Sequence, residues 1–299
     1  MINTVINTMI NIETMKRIME TVPNKAPLIH CITNPISIHD CANTVLATGA
    51  RPIMAEHPME VQEITATSKA LALNIGNITD ARRRSILLSG EEAFKRNIPV
   101  ILDIVGIGCS HFRRKIISEF LNMRYRIMSN REKNAPLIIK GNVSEIKVLA
   151  GLNEGRDLLV SGVDARPQDI LTKETQKDSL TEIHKLASVY QAIILATGKT
   201  DVVSDGESTY LIENGCPQMS LITGTGCMLT VLAAAYCSEH HLMEGVLLAT
   251  VMFGVCGELA AKEWRGTGTF QVRFMDELSS CTWEKVEKMM KVREWNESA

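Results

Sequence analysis

Short apolar runs alternate along the chain with longer segments of helical period. "PLIHCIT", "PIMA", "ALALNIG", "PVILDIVG", "PLIIKGN" and "AIILATG" are apolar through most of their length and predict strands. Continuous rather than alternating hydrophobicity marks strands covered on both faces, as in a parallel sheet. "DCANTVLATGA", "TDARRRSILLSGEEAFKRN" and "LTEIHKLASVY" predict the helices between them. This alternation implies a three-layer α/β/α fold with right-handed crossovers. "DVVSDGESTYLIENG" carries two strand-like runs about Asp205-Gly206, the signature of a hairpin, so the mostly parallel sheet is expected to end in an antiparallel edge. After residue 223 the pattern turns helical through "GCMLTVLAAAYCSEHH" and "LMEGVLLATVMFGVCGELAAKEW", and "TWEKVEKMMKVREW" predicts a last helix.

Ile2, Val5, Ile6, Met9 and Ile10 recur at helical spacing. They predict an N-terminal helical extension over residues 1–22, followed by one domain over 23–299. Two polar stretches, roughly 122–135 and 164–179, read as surface insertions.

Composition narrows the partner. Of 299 residues, 45% are hydrophobic and 22% charged, with a net charge of −2, so no basic field calls for nucleic acid or an anionic membrane. Aromatic residues make up 4%, too few for a base-stacking surface. A small-molecule partner is expected. The apolar stretch between Glu244 and Glu258 is too short to cross a bilayer, and the N-terminus lacks a signal-peptide pattern. Eight cysteines occur without a Cys-x-x-Cys pair, which predicts free thiols in a reducing cytoplasm. "HCITNPISIHDC" brings His30, Cys31, His39 and Cys41 close in sequence, but not at zinc-knuckle spacing; buried small residues are the better reading.

In open parallel sheets ligands bind beyond the carboxyl ends of the strands. Those ends carry Asp103, Lys140-Gly141-Asn142, Thr197-Gly198-Lys199 and the turn Thr223–Cys227, a set that suits a phosphate and a divalent cation. A helix starting at "TGTGCMLT" points free N–H groups and a partial positive charge outward, an anion hole. The same field is expected to favour a Cys227 thiolate. The competing reading of this turn is a glycine bend with a small residue capping a core helix. Asn142 and Glu145 form a helix capping box, and Glu145 is also placed to hold a hydrated Mg²⁺. Asp103 ends a buried strand and needs a partner, a helix cap or a metal. Neither a P-loop nor G-x-G-x-x-G after the first strand is present.

In their order, "HCITNPISIHDCANTVLATGARPIMAEHP", "LALNIGN", "PVILDIVGIG", "IIKGNVSEI", "ATGKTDVVSDGE" and "TGTGCMLTVLAAAYC" resemble the hydroxyethylthiazole kinases. The resemblance covers about residues 27–280, and its specific part is the block from His30 to Pro58. It implies a ribokinase-like fold without a separate lid domain. It also implies ATP- and Mg²⁺-dependent phosphorylation of 4-methyl-5-(2-hydroxyethyl)thiazole in thiamine synthesis or salvage, by a homotrimer with sites at subunit boundaries. By motif, Met54 and Gly224 are implied to contact the thiazole, Lys140 and Thr197 the ATP phosphates, and Asp103 and Glu145 the Mg²⁺, through water. Cys227 is implied to face the attacking alcohol, where many ribokinase-like enzymes place an aspartate base.

Several positions depart from the family pattern. Ile104 stands for a usual Pro, Cys109 for Ala and Lys140 for Arg, and an insertion precedes "PLIIKGN". Lys140 exchanges a bidentate fork for a point charge. A related kinase of a hydroxymethylpyrimidine or pyridoxine alcohol, a nucleotide-dependent dehydratase, and a non-catalytic nucleotide-binding regulator on the same fold are the alternatives. The dehydratase would more naturally carry Asp at position 227. Asp103 and the intact glycine turn weigh against the regulator.

Overall fold

The structure, a computed structural model, describes residues 10–129, 135–153, 155 and 176–295. In chain order these form α1 (Ile12–Lys25), β1 (Leu28–Ile32), α2 (Ile38–Ala47), β2 (Arg51–Ile53), α3 (Val61–Thr67), β3 (Ala70–Asn74), α4 (Asp80–Arg96), β4 (Val100–Asp103), α5 (His111–Met128), β5 (Leu137–Asn142) and α6 (Val143–Asn153). There follow α7 (Gln176–Tyr190), β6 (Ile193–Thr197), β7 (Asp201–Ser204), β8 (Thr209–Ile212), α8 (Thr225–Cys237), α9 (Leu242–Ala260), α10 (Thr267–Ser280), α11 (Trp283–Met289) and β9 (Val292–Trp295).

The strands join one nine-stranded sheet in the order β2-β1-β3-β4-β5-β6-β7-β8-β9. Pairing is parallel from β2 through β6 and antiparallel from β6 to β9. The expected hairpin about Asp205-Gly206 is β7–β8.

Each central strand feeds two cores. Successive side chains on a strand point to opposite faces. Ala70, Ala72, Ile101, Ile138 and Leu195 pack in one apolar cluster with α1, α8, α9 and α10. Leu71, Leu73, Val100, Leu102, Ile139 and Ile194 pack in the other, with α4, α5, α6 and α7. Both faces need apolar residues, which is why these strands read as unbroken hydrophobic runs. Within the first cluster, Ala233, Ala234 and Ala235 of α8 are fully buried. Their small side chains let α8 approach the sheet closely, and that brings its N-terminus to the strand ends.

The expectations for the last helix, the polar stretches and the apolar C-terminal helix change. The last helix ends at Met289, and Val292–Trp295 adds an edge strand antiparallel to β8. Val292-Arg293-Glu294-Trp295 carries no alternation that marks a strand, and it continues the helical period before it. Residues 122–128 belong to α5 rather than to a surface loop; Arg124 is buried and donates to the carbonyls of Ala135, Tyr190 and Gln191. Of the second stretch, 164–175 lies outside the described residues and 176–179 begins α7. Helix α1 runs through residue 22 without a break, with Met15, Ile18 and Val22 in the main core; residues 1–9 lie outside the described residues. Finally, the helical stretch Leu242–Glu263 is long and apolar enough to cross a membrane, contrary to the expectation from Glu244 and Glu258. Its most apolar window is 72% buried inside the protein, as a core helix is.

Candidate active site

A polar row crosses the carboxyl end of the sheet. Asn74 of β3 is in register with Asp103 of β4, and Asp103 with Lys140 of β5. In each strand the residue two before, Ala72, Ile101 or Ile138, lies in the α8-side core. Period-two geometry therefore turns Asn74, Asp103 and Lys140 to that same face, beneath the start of α8. All three are buried. Asp103 Oδ2 accepts from Lys140 Nζ at 2.9 Å, Asn74 Nδ2 at 3.1 Å and Thr230 Oγ1 at 2.8 Å, while Oδ1 accepts from the Val105 amide at 3.1 Å. The expected partner of Asp103 is thus a salt bridge with three further donors. Burial works against the Lys140 charge, but Asp103 outweighs it through attraction and a hydrogen bond, and the ammonium is held above its ordinary range.

Glu145 stands beside the row at the start of α6. The capping box is present: Asn142 Oδ1 accepts from the Glu145 amide at 2.9 Å, and Glu145 Oε2 accepts from the Asn142 amide at 2.7 Å. The other oxygen of Glu145 accepts from the Gly106 amide at 2.6 Å. Burial, then the nearby Asp103 charge, pushes the Glu145 carboxyl up to about 7.

Helix α8 begins at Gly224, whose φ of 89° is left-handed. No side chain caps this end, and the first helical bond runs from the Met228 amide to the Gly224 carbonyl at 2.8 Å. The amides of Thr225, Gly226 and Cys227 precede it and point outward, as an anion hole requires. Lys140 lies underneath: a Cβ on Gly226 would sit 3.5 Å from its Nζ. The positive ends of a helix and of an ammonium converge there.

Cys227 lies in the first turn of α8, buried, and its Sγ accepts from Asn74 Nδ2 at 3.3 Å. The expected easy ionisation is not met. Burial pushes the thiol up, Asp103 adds to this, and Ser37, Lys140 and Asn74 pull it back only in part. The helix end is present, but so are a dry surround and a carboxylate.

The remaining predicted residues spread outward. Thr197 ends β6 in register with Asn142, its hydroxyl 3.4 Å from the Gly141 carbonyl. Gly224 packs against Ser37, and a Cβ on it would lie 2.8 Å from that of Ser37. Met54 follows β2 and packs partly on the main core. It lies three strands from β4, roughly 14 Å at normal strand spacing, outside the hydrogen-bonded cluster. Buried His30 steadies that segment by donating from Nε2 to the Ala55 carbonyl at 2.8 Å, and its Nδ1 lies 2.8 Å from Thr65 Oγ1. Burial pulls its pKa down. Among the described residues no group of three or more His, Cys, Asp and Glu is placed to hold a metal.

Sequence reasoning missed Asn74, Ser37, Thr230 and Arg82. Asn74 had a signal: "ALALN", "VILD" and "LIIK" each turn polar at the same level of the sheet. Arg82 had none. Its buried guanidinium donates to the carbonyls of Thr33, Asn74, Gly76 and Asn77 at 2.5, 3.3, 2.6 and 2.8 Å. It therefore ties the ends of β1 and β3 together.

The site thus joins an amide anion hole, two carboxylates, one buried ammonium and a thiol, all at the carboxyl ends of parallel strands. Such a set can receive a phosphoryl group and orient a small hydroxyl beside it. Comparison with known proteins agrees. The sequence model of the hydroxyethylthiazole kinase family matches residues 19–284. Hydroxyethylthiazole kinase 2 of Clostridium botulinum (strain Hall) is 42% identical over 279 residues, 93% of this chain and 100% of that protein. The solved structure of a hydroxyethylthiazole kinase protein from Pyrococcus horikoshii OT3 superposes with a TM-score of 0.81 at 28% identity, covering 95% of this chain and 100% of the other. A ribokinase-like superfamily protein from Enterococcus faecalis V583, at 12% identity and a TM-score of 0.58 over 91% of this chain and 94% of the other, shares the fold.

Proposed function

The chain belongs to the hydroxyethylthiazole kinase family, and from that premise we propose that it transfers a phosphoryl group from ATP to the primary alcohol of 4-methyl-5-(2-hydroxyethyl)thiazole, a step of thiamine synthesis or salvage. The observation that carries the reading is the uncapped start of α8 standing over the Asp103–Lys140 pair, with Cys227 in its first turn.

Phosphoryl transfer needs positioning and charge neutralisation more than covalent help. The amides of Thr225, Gly226 and Cys227 receive the charge that develops on the transferring group. Lys140 acts from below. Its Nζ is engaged by Asp103 and it is 3% exposed, so it raises the positive potential under the amides rather than wrapping a phosphate. Thr197, half-buried at the end of β6, offers its hydroxyl to the ATP phosphates. Gly224 and Met54 line the thiazole side. Cys227 faces the alcohol. As burial keeps it a thiol at neutral pH, it orients the hydroxyl rather than taking its proton as a thiolate, and the proton leaves late, to an oxygen of the transferred phosphoryl group and then to water.

The donor set fits Mg²⁺. Asp103 and Glu145 bring two carboxylates against the single buried ammonium of Lys140, and a Glu145 carboxyl raised to about 7 is short of positive charge. Each Glu145 oxygen already accepts a backbone N–H, so these residues suit an ion that keeps its waters. Asp103 and Glu145 would hold it, and it would supply Lewis-acid neutralisation of phosphate charge.

The same resemblance supports a homotrimer with sites at subunit boundaries, and the unpaired cysteines support a reducing cytoplasm. Ile36, Leu46 and Met59 are exposed by 63%, 55% and 86%, and Leu46 belongs to α2, which packs beside the edge strand β2; a subunit boundary would cover such residues. Light scattering checks the assembly: a monomeric mass would overturn it.

The deciding experiment is ADP release with Mg²⁺·ATP and each of three alcohols: the thiazole, hydroxymethylpyrimidine and pyridoxine. The thiazole alone should give rapid, stoichiometric release. Equal or faster turnover of another alcohol, or none with the thiazole, would overturn the assignment.

A further inference from the structure

We propose that Asn74 is the positioning residue of the Cys227 thiol: its amide ties the sulfur to the Asp103 carboxylate and fixes which side of the sulfur is left for the substrate hydroxyl. The proposal rests on the reading that Cys227 faces the alcohol.

The orientation of the Asn74 amide is determined twice over. Its Oδ1 accepts from the Gly76 amide at 2.8 Å, a bond that only the oxygen can make. Its Nδ2 faces the Asp103 carboxylate at 3.1 Å, where only a donor is stable. With the flip fixed, the second proton of Nδ2 points at Cys227 Sγ, 3.3 Å away. All the geometry of this side chain is then spent: both protons are given and the oxygen is held.

The backbone of Asn74 is held as firmly. It ends β3 in register with Asp103, and buried Arg82 donates to its carbonyl and to those of Gly76, Asn77 and Thr33. Asn74 itself is 1% exposed. A side chain so constrained presents the sulfur with a fixed donor. The sulfur lone pair turned to Asn74 is occupied, and Ser37 is a second hydrogen-bond partner of the thiol, so only the side of the sulfur away from both is left for a substrate hydroxyl. The amide also stands between two groups that would otherwise meet as sulfur and carboxylate.

The test uses the full chain with Asn74→Ala, Cys227→Ala and both together, assayed with Mg²⁺·ATP and the thiazole alcohol. Asn74→Ala should lower kcat at least tenfold with the alcohol KM changed less than threefold. In the Cys227→Ala background the same change should cost less than threefold, because the residue through which it acts is gone. An equal cost in both backgrounds would overturn the proposal, since Asn74 would then act on the fold or on Asp103 alone. A second readout needs no turnover: iodoacetamide labelling of Cys227 at fixed pH, followed on its tryptic peptide. Asn74→Asp keeps the shape but replaces the donor with an acceptor, and should slow labelling at least tenfold. If that variant does not fold, Asn74→Leu removes both donors at similar volume and should change the rate at least threefold. Unchanged labelling in a folded variant would overturn the proposal. Changed labelling in the variants together with no thiazole kinase activity in the unmutated protein would instead overturn the assigned reaction while leaving the Asn74–Cys227 tie in place.

Discussion

Asp103 and Lys140 are register partners on adjacent parallel strands, and the Lys140 ammonium lies 2.9 Å from Asp103 Oδ2 with both side chains buried. A buried pair of this kind is costly to break from one side, because the surviving charge is left without its partner. Lys140→Met should therefore destabilise the protein by about 3–5 kcal/mol in urea unfolding. Asp103→Asn added to Lys140→Met should recover at least half of that loss. A single variant as stable as the parent would show that the other three donors to Asp103 suffice.

Gly224 holds a φ of 89° and has the Ser37 side chain where its Cβ would be, at 2.8 Å. Gly224→Ala must strain the left-handed backbone, at about 1–2 kcal/mol, and push the Asn34–Ser37 turn away. The melting temperature should fall by several degrees and kcat by more than tenfold. A variant with full activity would mean that the turn is freer than its packing implies.

Cys227 is pushed up by burial and by Asp103, so it is a thiol at neutral pH. Cys227→Ser keeps a small donor at the same place, and its turnover should stay within about tenfold of the parent, short of the roughly hundredfold or more that removing a true general base costs. A loss of a thousandfold at pH 7 would assign the proton transfer to the sulfur.

Asp201 opens β7 and accepts from the Gly198 amide at 2.8 Å, holding the turn that follows Thr197. Burial pushes its carboxyl up to about 7, with the Gly198 hydrogen bond and Lys140 opposing. The folded state thus holds the proton that the unfolded chain gives up near pH ~4. Its contribution is present below that pH and is lost as pH rises through about 7. Asp201→Asn keeps the acceptor and removes the ionisation. After allowance for its partial exposure, it should gain on the order of 2 kcal/mol on the parent between pH 5 and pH 8. Chemical denaturation at the two pH values measures this, and a constant difference would count against the raised carboxyl.

Arg82 donates to four carbonyls from the ends of β1 and β3. Arg82→Met would leave several buried acceptors unpaired, each worth about 1–3 kcal/mol, so a loss of at least about 3 kcal/mol is expected. Activity at permissive temperature should fall with it, because Asn74 is among the residues held. Unaltered urea unfolding would show that water replaces the guanidinium.

The sequence alone determined the order of strands and helices, the antiparallel hairpin, the Asn142–Glu145 capping box and the strand ends as the place of chemistry. Each of these is written in local periodicity, turn residues or short spacing. "TGTGC" also announced a helix start with a thiol in its first turn. Only the tertiary structure decided what surrounds that thiol. Asn74, Asp103, Lys140 and Thr230 come from four elements, and their meeting depends on strand register and on the close seat of α8, which no local pattern encodes. For the same reason the ionisation of Cys227 could not be read from the helix start: a helix end favours a thiolate only where water or a cation shares the charge, and here burial and Asp103 reverse the sign. Val292–Trp295 shows the same limit at the other end of the chain. Its residues allow helix or strand, and the free edge of β8 chose the strand.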